Sequence, residues 1–276
     1  MRTWFITGAS RGLGMLIAKA ALDAGDAVVA AARNPDAVTE ALGSHDNLLA
    51  VKLDVTDQGQ ANVAVAAAVK RFGRIDVLVN NAGFGVVGAV EEASAEEIAR
   101  VYATNVFGLL GVTRAVLPHM RRERSGRVFN ISSIGGYQSR AGFGIYCSTK
   151  FAVEAISEAM YEELAPLGIY VTVVEPGAFR TDFAGRSLQQ SSTVIADYAE
   201  TAGKRRKEVD TAHGSQPGDP ARAAQAIITA VEADEPPALL MLGPDALKAI
   251  RGVIDAQLAE LKDWENTSLG TDLSSP

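Results

Sequence analysis

Short apolar runs alternate with helical stretches along most of this chain, and that alternation limits the possible folds more than any single motif does. Runs at 4–7, 27–32, 48–53, 75–80, 127–132, 170–175 and 239–242 read as strands, and helical stretches at 14–24, 58–72, 95–120, 146–165 and 220–232 lie between most of them. Strands that are apolar throughout are covered on both faces, and helix-length connections join parallel neighbours. The expected fold is therefore α/β, a parallel sheet with helices on both faces. With 276 residues, 47% of them hydrophobic, and no stretch resembling a linker, the chain has material for one sizeable core in a single domain spanning 1–276.

One region interrupts the alternation. Residues 184–213 combine polar Gln189, Gln190, Ser191 and Ser192 with Tyr198 and a basic run from Lys204 to Lys207. An insertion after the sixth strand falls at the carboxyl edge of the sheet, where ligands bind in such folds, so it reads as a substrate lid. The basic run reads as a solvated helix face rather than a contact for an anionic substrate. From about Asp263 the chain turns polar and loses its period, which predicts a helix end followed by a loose terminus.

Composition excludes several classes of function. A formal charge of −7 and a pI near 5.1 argue against a nucleic-acid partner and against an anionic membrane. No apolar run approaches the length of a membrane span. Cys147 is the single cysteine, so no internal disulfide can form, which suits a reducing cytoplasm. The first strand begins within two residues of Met1, leaving no room for a signal peptide, and a cytoplasmic location is expected. His45, His119 and His213 have neither metal-ligand nor triad spacing, so no metal is expected.

Two local patterns carry chemistry. Tyr146 and Lys150 lie one helical turn apart and so share a face. A tyrosine has a reference pKa near ~10, and bringing it to about 7 takes roughly 4 kcal/mol. A lysine ammonium at ~4 Å supplies about that much at an effective dielectric near ~20, which makes the pair a candidate proton-transfer group. At the other end of the chain, the first strand runs into Gly8, Gly12 and Gly14 and then into a helical pattern. Glycines let a backbone approach a pyrophosphate, and the free N–H groups of the first helical turn bind it. The spacing, Gly-x3-Gly-x-Gly, differs from the Gly-x-Gly-x2-Gly of the general dinucleotide fingerprint.

Together these motifs resemble the short-chain dehydrogenase/reductase family, of the type with a Tyr-x3-Lys active site. The matching residues are Thr7, Gly8, Gly12 and Gly14; Asn80, Asn81, Ala82 and Gly83; Asn105; Ser133; Tyr146 and Lys150; and Pro176 and Gly177 with Thr181. They follow the family's order over about residues 3–185. The resemblance implies a Rossmann-type doubly wound sheet and a nicotinamide dinucleotide. It implies that Tyr146 is the acid in reduction and the base in oxidation, and that Ser133 holds the carbonyl oxygen. Lys150 is implied to lower the phenol and bind the nicotinamide ribose. Asn105 is implied to interrupt its helix and link Lys150 to solvent. Ser133 is preferred to Ser132 by its interval to Tyr146, and because strand alternation sends neighbours to opposite faces. The implied cofactor contacts are Gly8, Ser10, Arg11, Gly12, Leu13 and Gly14 at the pyrophosphate and Arg33 beyond the second strand. Asp54 and Val55 fall by the adenine, and Asn81, Ala82 and Gly83 by its ribose. Tyr146, Lys150, Pro176, Gly177, Phe179 and Thr181 complete the set on the nicotinamide side.

The second strand ends on Ala32, where NAD-preferring sites carry an acid, and Arg33 follows with Arg11 in the glycine loop. Two guanidiniums and no carboxylate suit a 2′-phosphate, so NADP(H) is expected over NAD(H). The expected reaction is reversible, NADPH-dependent reduction of a hydrophobic ketone or keto ester to a secondary alcohol. Phe179, Phe183, Leu188, Val194, Ile195 and Tyr198 are expected to wall one side of the substrate, with Gly135, Gly136 and Phe143 on the other. A non-catalytic dinucleotide-binding regulator would need only the glycine loop, so the four catalytic positions weigh against it. An epimerase or dehydratase would have a different glycine spacing. The expected partners are a small carbonyl or alcohol substrate and further copies of the chain, as a homodimer or homotetramer. That association is expected through helices 95–120 and 146–165, where Val106, Leu109, Leu110 and Val112, and Phe151, Val153, Ile156 and Met160, cover more than one face.

Overall fold

The computed structural model describes residues 1–183, 185–212 and 214–273. Strand β1 (Thr3–Thr7) sets the plan. All five of its residues are buried, with Trp4 and Ile6 in one core and Phe5 in the other, as a two-residue side-chain period requires. The chain continues through α1 (Gly12–Asp23), β2 (Ala27–Ala32), α2 (Asp36–Leu42), β3 (Leu48–Lys52), α3 (Gln58–Phe72) and β4 (Val77–Asn80). Next come β5 (Gly85–Val87), α4 (Ala95–Tyr102), α5 (Leu109–Glu123), β6 (Gly126–Ile131), α6 (Gly144–Leu164) and β7 (Ile169–Pro176). The last part holds β8 (Leu188–Gln190), α7 (Lys204–Ala212), α8 (Pro220–Glu232), β9 (Leu239–Leu242) and α9 (Pro244–Leu269).

Seven strands form one sheet in the order β3-β2-β1-β4-β6-β7-β9, and every pairing is parallel. Helices α1 and α8 cover one face and α3, α5 and α6 the other, giving the Rossmann-type doubly wound α/β fold. The chain builds outward from β1 to β3, then returns to add β4 on the other side of β1. That reversal opens a crevice at the carboxyl ends of β1 and β4, which is where the glycine loop and residues 81–83 lie.

Several elements depart from the sequence reading. The helix expected over 95–120 is interrupted by one π-helical segment, Ala103–Gly108, between α4 and α5. Helix α2, the parallel pair β5–β8 and α9 were not anticipated. The helix end expected from about Asp263 is the last part of α9, which runs to Leu269; Pro244 and Asp245 start this helix, and its residues are mostly strong helix formers. The apolar residues expected to mark an interface between copies are mostly consumed by this chain's own cores: Val106, Leu109, Val112, Val153 and Met160 are buried. Of that group only Phe151 stands exposed, joined by Phe107 and Tyr161.

Candidate active site

Helix α6 presents Tyr146 and Lys150 one turn apart, both buried. Burial pushes the Tyr146 phenol above the ordinary tyrosine range, and the Ser133 hydroxyl works against that shift. The same burial pushes Lys150 down to about 8, while Glu154 on the next turn works to raise it. Lys150 Nζ donates to the Ile131 carbonyl at 2.8 Å and sits 5.9 Å from the centre of the Tyr146 ring. Burial is the dominant influence on the phenol in this arrangement. A neutral phenol is the form that can donate a proton.

Ser133 begins the short turn Ile134–Gly136, and its Oγ accepts from Gly135 N at 3.0 Å. A Cβ added to Gly135 would lie 3.4 Å from both Ser133 Oγ and Tyr146 Cε1, so this glycine keeps the two side chains close. Phe183 lies 5.5 Å and Phe143 6.3 Å from the Tyr146 ring, centre to centre. Leu188 closes the same wall, since a Cβ on Gly85 would lie 2.7 Å from Leu188 Cδ1 and 3.2 Å from Tyr146 Cδ2. Three of the residues expected to line the wall lie elsewhere. Val194 is exposed, Tyr198 donates to Glu91 at 2.6 Å, and Phe179 packs on the α1–α8 core.

Asn105 sits inside the π-helical segment and is buried. Its side-chain amide accepts from Phe84 N at 3.1 Å, and donates to Phe84 O at 2.9 Å and to Thr149 Oγ1 at 3.0 Å. The asparagine thus ties α6 to the chain leaving β4. The extra residue of a π turn is a feature that recurs at functional sites.

The glycine corner fits a dinucleotide. Gly8 and Gly12 have φ of +66° and +56°, and a side chain on Gly14 would run into Asn81 Nδ2 and the Gly8 carbonyl. Asn81 Nδ2 donates to Thr7 O at 2.9 Å, and Thr7 Oγ1 accepts from the N–H groups of Asn81 and Ala82 at 2.9 and 3.0 Å. No side chain caps the start of α1, which leaves its first-turn N–H groups available to an anion. Thr181 faces this corner across Gly12, 3.9 Å from where a Cβ would stand. Leu13 packs on the core, and Ser10 is half-buried in the loop. Gly83 lies beside Asn105 and Lys150, 3.2 Å and 3.8 Å from its added Cβ. Val55 packs on Gly108, while Asp54 Oδ1 accepts from Thr56 N and Oγ1. Pro176 ends β7, and Gly177 N donates to Leu242 O at 2.8 Å. Arg33 stands exposed beyond β2, whereas Arg11 Nη2 donates to Ser187 Oγ at 3.0 Å, towards the segment expected to act as a lid.

A family model described as short chain dehydrogenase matches residues 2–192. The chain belongs to that family. Among its relatives, the oxidoreductase BOA17 of Botryotinia fuckeliana is 38% identical, covering 98% of this chain and 99% of its own. A 3-ketodihydrosphingosine reductase of Bacteroides thetaiotaomicron is 36% identical over 94% of this chain and 91% of its own. The crystal structure of a short-chain dehydrogenase from Streptomyces avermitilis has a TM-score of 0.92 and 45% identity, covering 99% of this chain and all of that one. As a short-chain dehydrogenase the protein is an oxidoreductase of a family that binds nicotinamide dinucleotides.

Sequence reasoning missed three side-chain networks around this site. Asn80 Nδ2 donates to Thr113 Oγ1 and to Asn130 Oδ1, and Asn130 Nδ2 donates to Ser157 Oγ, joining β4, β6, α5 and α6. The second is a buried ion pair, Arg206 Nη2 to Glu92 Oε2 at 2.7 Å. It corrects the reading of the 204–207 run as a solvated face, because this arginine points inward. The third involves Glu154, whose charge bears on Lys150 and on the buried Glu175. Polar residues inside an otherwise apolar strand were the only available signal for Asn80, Asn130 and Glu175. His213 lies outside the described residues, and among the described ones no cluster could hold a metal. Nor, among them, is any helix long and apolar enough to cross a membrane.

Proposed function

We propose that the protein is an NADPH-dependent reductase of a hydrophobic ketone or keto ester. The observation that carries this reading is the grouping of a neutral, buried Tyr146 phenol with the Ser133 hydroxyl, inside a wall of Phe143, Phe183 and Leu188. Two hydroxyls meeting in an apolar surround suit a carbonyl oxygen flanked by hydrocarbon. The similar Bacteroides reductase also carries a ketone, 3-ketodihydrosphingosine, in its name.

Bound NADPH would supply the hydride. Ser133 Oγ would hold the carbonyl oxygen, and Tyr146 would give its proton to that oxygen as negative charge develops there. Lys150 would hold positive charge beneath the phenol, and Asn105 would fix α6 against the chain leaving β4. Phe183 and Leu188 would exclude water, with the 185–212 segment serving as the cover. Cofactor preference rests on Ala32 and Arg33, since no carboxylate ends β2 to repel a 2′-phosphate. Arg11 supports it less than the sequence suggested, being tied to Ser187. A homo-oligomer remains the proposed assembly, through the exposed Phe107, Phe151 and Tyr161.

The test is consumption of NADPH with a series of ketones of rising apolar bulk. The reading expects kcat/KM to climb along the series, by up to about a factor of four per methylene buried at about 0.8 kcal/mol. A flat or falling series, with carboxylated substrates preferred, would remove it.

A further inference from the structure

Below the Tyr146–Lys150 pair lies a group of buried polar atoms that the reaction proposed above does not use. Glu154 is one further turn along α6 from Lys150, so Tyr146, Lys150 and Glu154 occupy one face of the helix. Glu175, near the end of β7, is fully buried. Both carboxylate oxygens of Glu175 are buried without a hydrogen-bond partner among the described residues, whereas Ser132 lies close enough to Glu154 to hold that carboxyl down against the burial that raises it. Ser132 and Glu154 converge over Gly136, where an added Cβ would lie 2.6 Å from Ser132 Oγ and 2.5 Å from Glu154 Oε1. A carboxylate buried without a donor costs several kcal/mol, which makes Glu175, with both oxygens unpaired, the harder of the two to ionise, and the Glu154 charge adds to that cost.

The surrounding groups leave one arrangement. On α6, Lys150 is the only cation that bears on Glu154; of the titratable groups towards the helix end, Glu158, Tyr161 and Glu162 line a cleft of about 520 Å³ that Glu154 also lines, and Glu163 does not. Tyr137 adds a phenol to that cleft from the turn after β6, and α9 adds the uncharged Gln257. Met241 of β9 sits opposite Glu175 in the sheet register. Asp245 at the start of α9 is occupied by Ala178 N, at 2.7 Å.

We propose that Glu154 and Glu175 form an acid pair that keeps Lys150 charged: Glu154 stands ionised towards the ammonium, and Glu175 stays protonated behind it. Glu154 is then a positioning residue for Lys150, and the proposal rests on the reading of Lys150 as part of the catalytic group. Burial, helped by the Glu154 charge, pushes Glu175 up from 4.5 to about 7. A carboxyl raised in the folded state contributes stability below its unfolded pKa and loses it as pH rises through the folded value. Stability should therefore fall between pH 4.5 and about 7.

The experiment has two arms. In the first, the pH profile of kcat/KM for ketone reduction is measured for the wild type, Glu154→Gln and Glu154→Asp. Without the carboxylate, Lys150 loses its proton earlier, so Glu154→Gln should move the alkaline limb down by about one unit or more, and Glu154→Asp should restore most of it. An unmoved limb in an active Glu154→Gln enzyme overturns the proposal. In the second arm, thermal stability is followed across the same pH range for the wild type and Glu175→Gln. The wild type should lose stability over that window and the variant should not, and equal profiles would overturn the pair. If Glu175→Gln does not fold, a wild-type profile flat across the window has the same force. If no ketone is reduced by any form, the functional reading fails, while the stability arm still decides whether the acid pair exists.

Discussion

At the glycine corner the contacts run through the backbone: Thr7 Oγ1 accepts two main-chain N–H groups, and Asn81 binds two main-chain carbonyls. Around 185–212 they run instead through long charged side chains reaching across the sequence. Arg206 pairs with Glu92 and donates to the Ser191 and Thr193 carbonyls, Glu97 accepts from Ser191 and Ser192, and Arg100 donates to Gln189. Beneath them the short pairing of β5 with β8 joins this segment to the chain after β4 by main chain. Backbone contacts fix a position regardless of neighbouring side chains, which suits a part that must cradle one invariant group. Side-chain contacts can be altered one residue at a time, which suits a part that would meet varied substrates.

That difference can be broken from either side. Arg206→Ala should have the largest effect, about 3–5 kcal/mol of stability, because it leaves the buried Glu92 carboxylate unpaired. Denaturant unfolding reads it directly. The same pair has a pH signature. Burial works to raise Glu92, but donors from Ile195, Ala89 and Arg206 overcome it and hold the group below 4.5. A carboxylate depressed in the folded state stabilises above its unfolded pKa, so this contribution should disappear as pH falls below 4.5, and melting curves should record the loss.

On the backbone side, Gly14→Ala should cost about 1–3 kcal/mol through overpacking against Asn81 and the Gly8 carbonyl. Dinucleotide affinity, titrated by cofactor fluorescence, should fall with it, whereas Arg206→Ala should leave that affinity largely in place. Arg33→Asp should shift the NADPH-to-NADH ratio of kcat/KM towards NADH by about tenfold, the loss of one charge-assisted bond. An unchanged ratio would mean that the 2′-position is read elsewhere. The smallest effect, of opposite sign, is expected at Gly252 in α9, where an added Cβ meets nothing within 4 Å. Gly252→Ala should stabilise by up to about 1 kcal/mol, which marks a glycine with no cradling role.

Elements set by local signals were legible in the sequence. Strand β2, helix α3, helix α8 and strand β9 have the expected bounds, two of them helped by the side-chain caps Asp57 and Asp219. The interruption at 103–108 was legible only as a family feature, since its cause is long-range: Asn105 turns inward to Phe84 and Gly108 closes on Val55. The Glu92–Arg206 pair spans 114 positions, and nothing near either residue announces it. Sequence spacing likewise brought Tyr146 and Lys150 to one face but could not show how deeply both are buried. The missing factor was burial, together with the Ile131 carbonyl that holds the ammonium.

The account rests on Tyr146 as the proton donor, and one comparison tests it most directly. Wild type and Tyr146→Phe are assayed for turnover of the best ketone in the series, alongside cofactor binding by fluorescence. The phenyl ring keeps the contacts with Phe143 and Phe183 and removes only the hydroxyl. Turnover should fall by about a hundredfold to ten-thousandfold with dinucleotide binding intact. Turnover near the wild-type rate in a folded, cofactor-binding Tyr146→Phe protein would contradict the account.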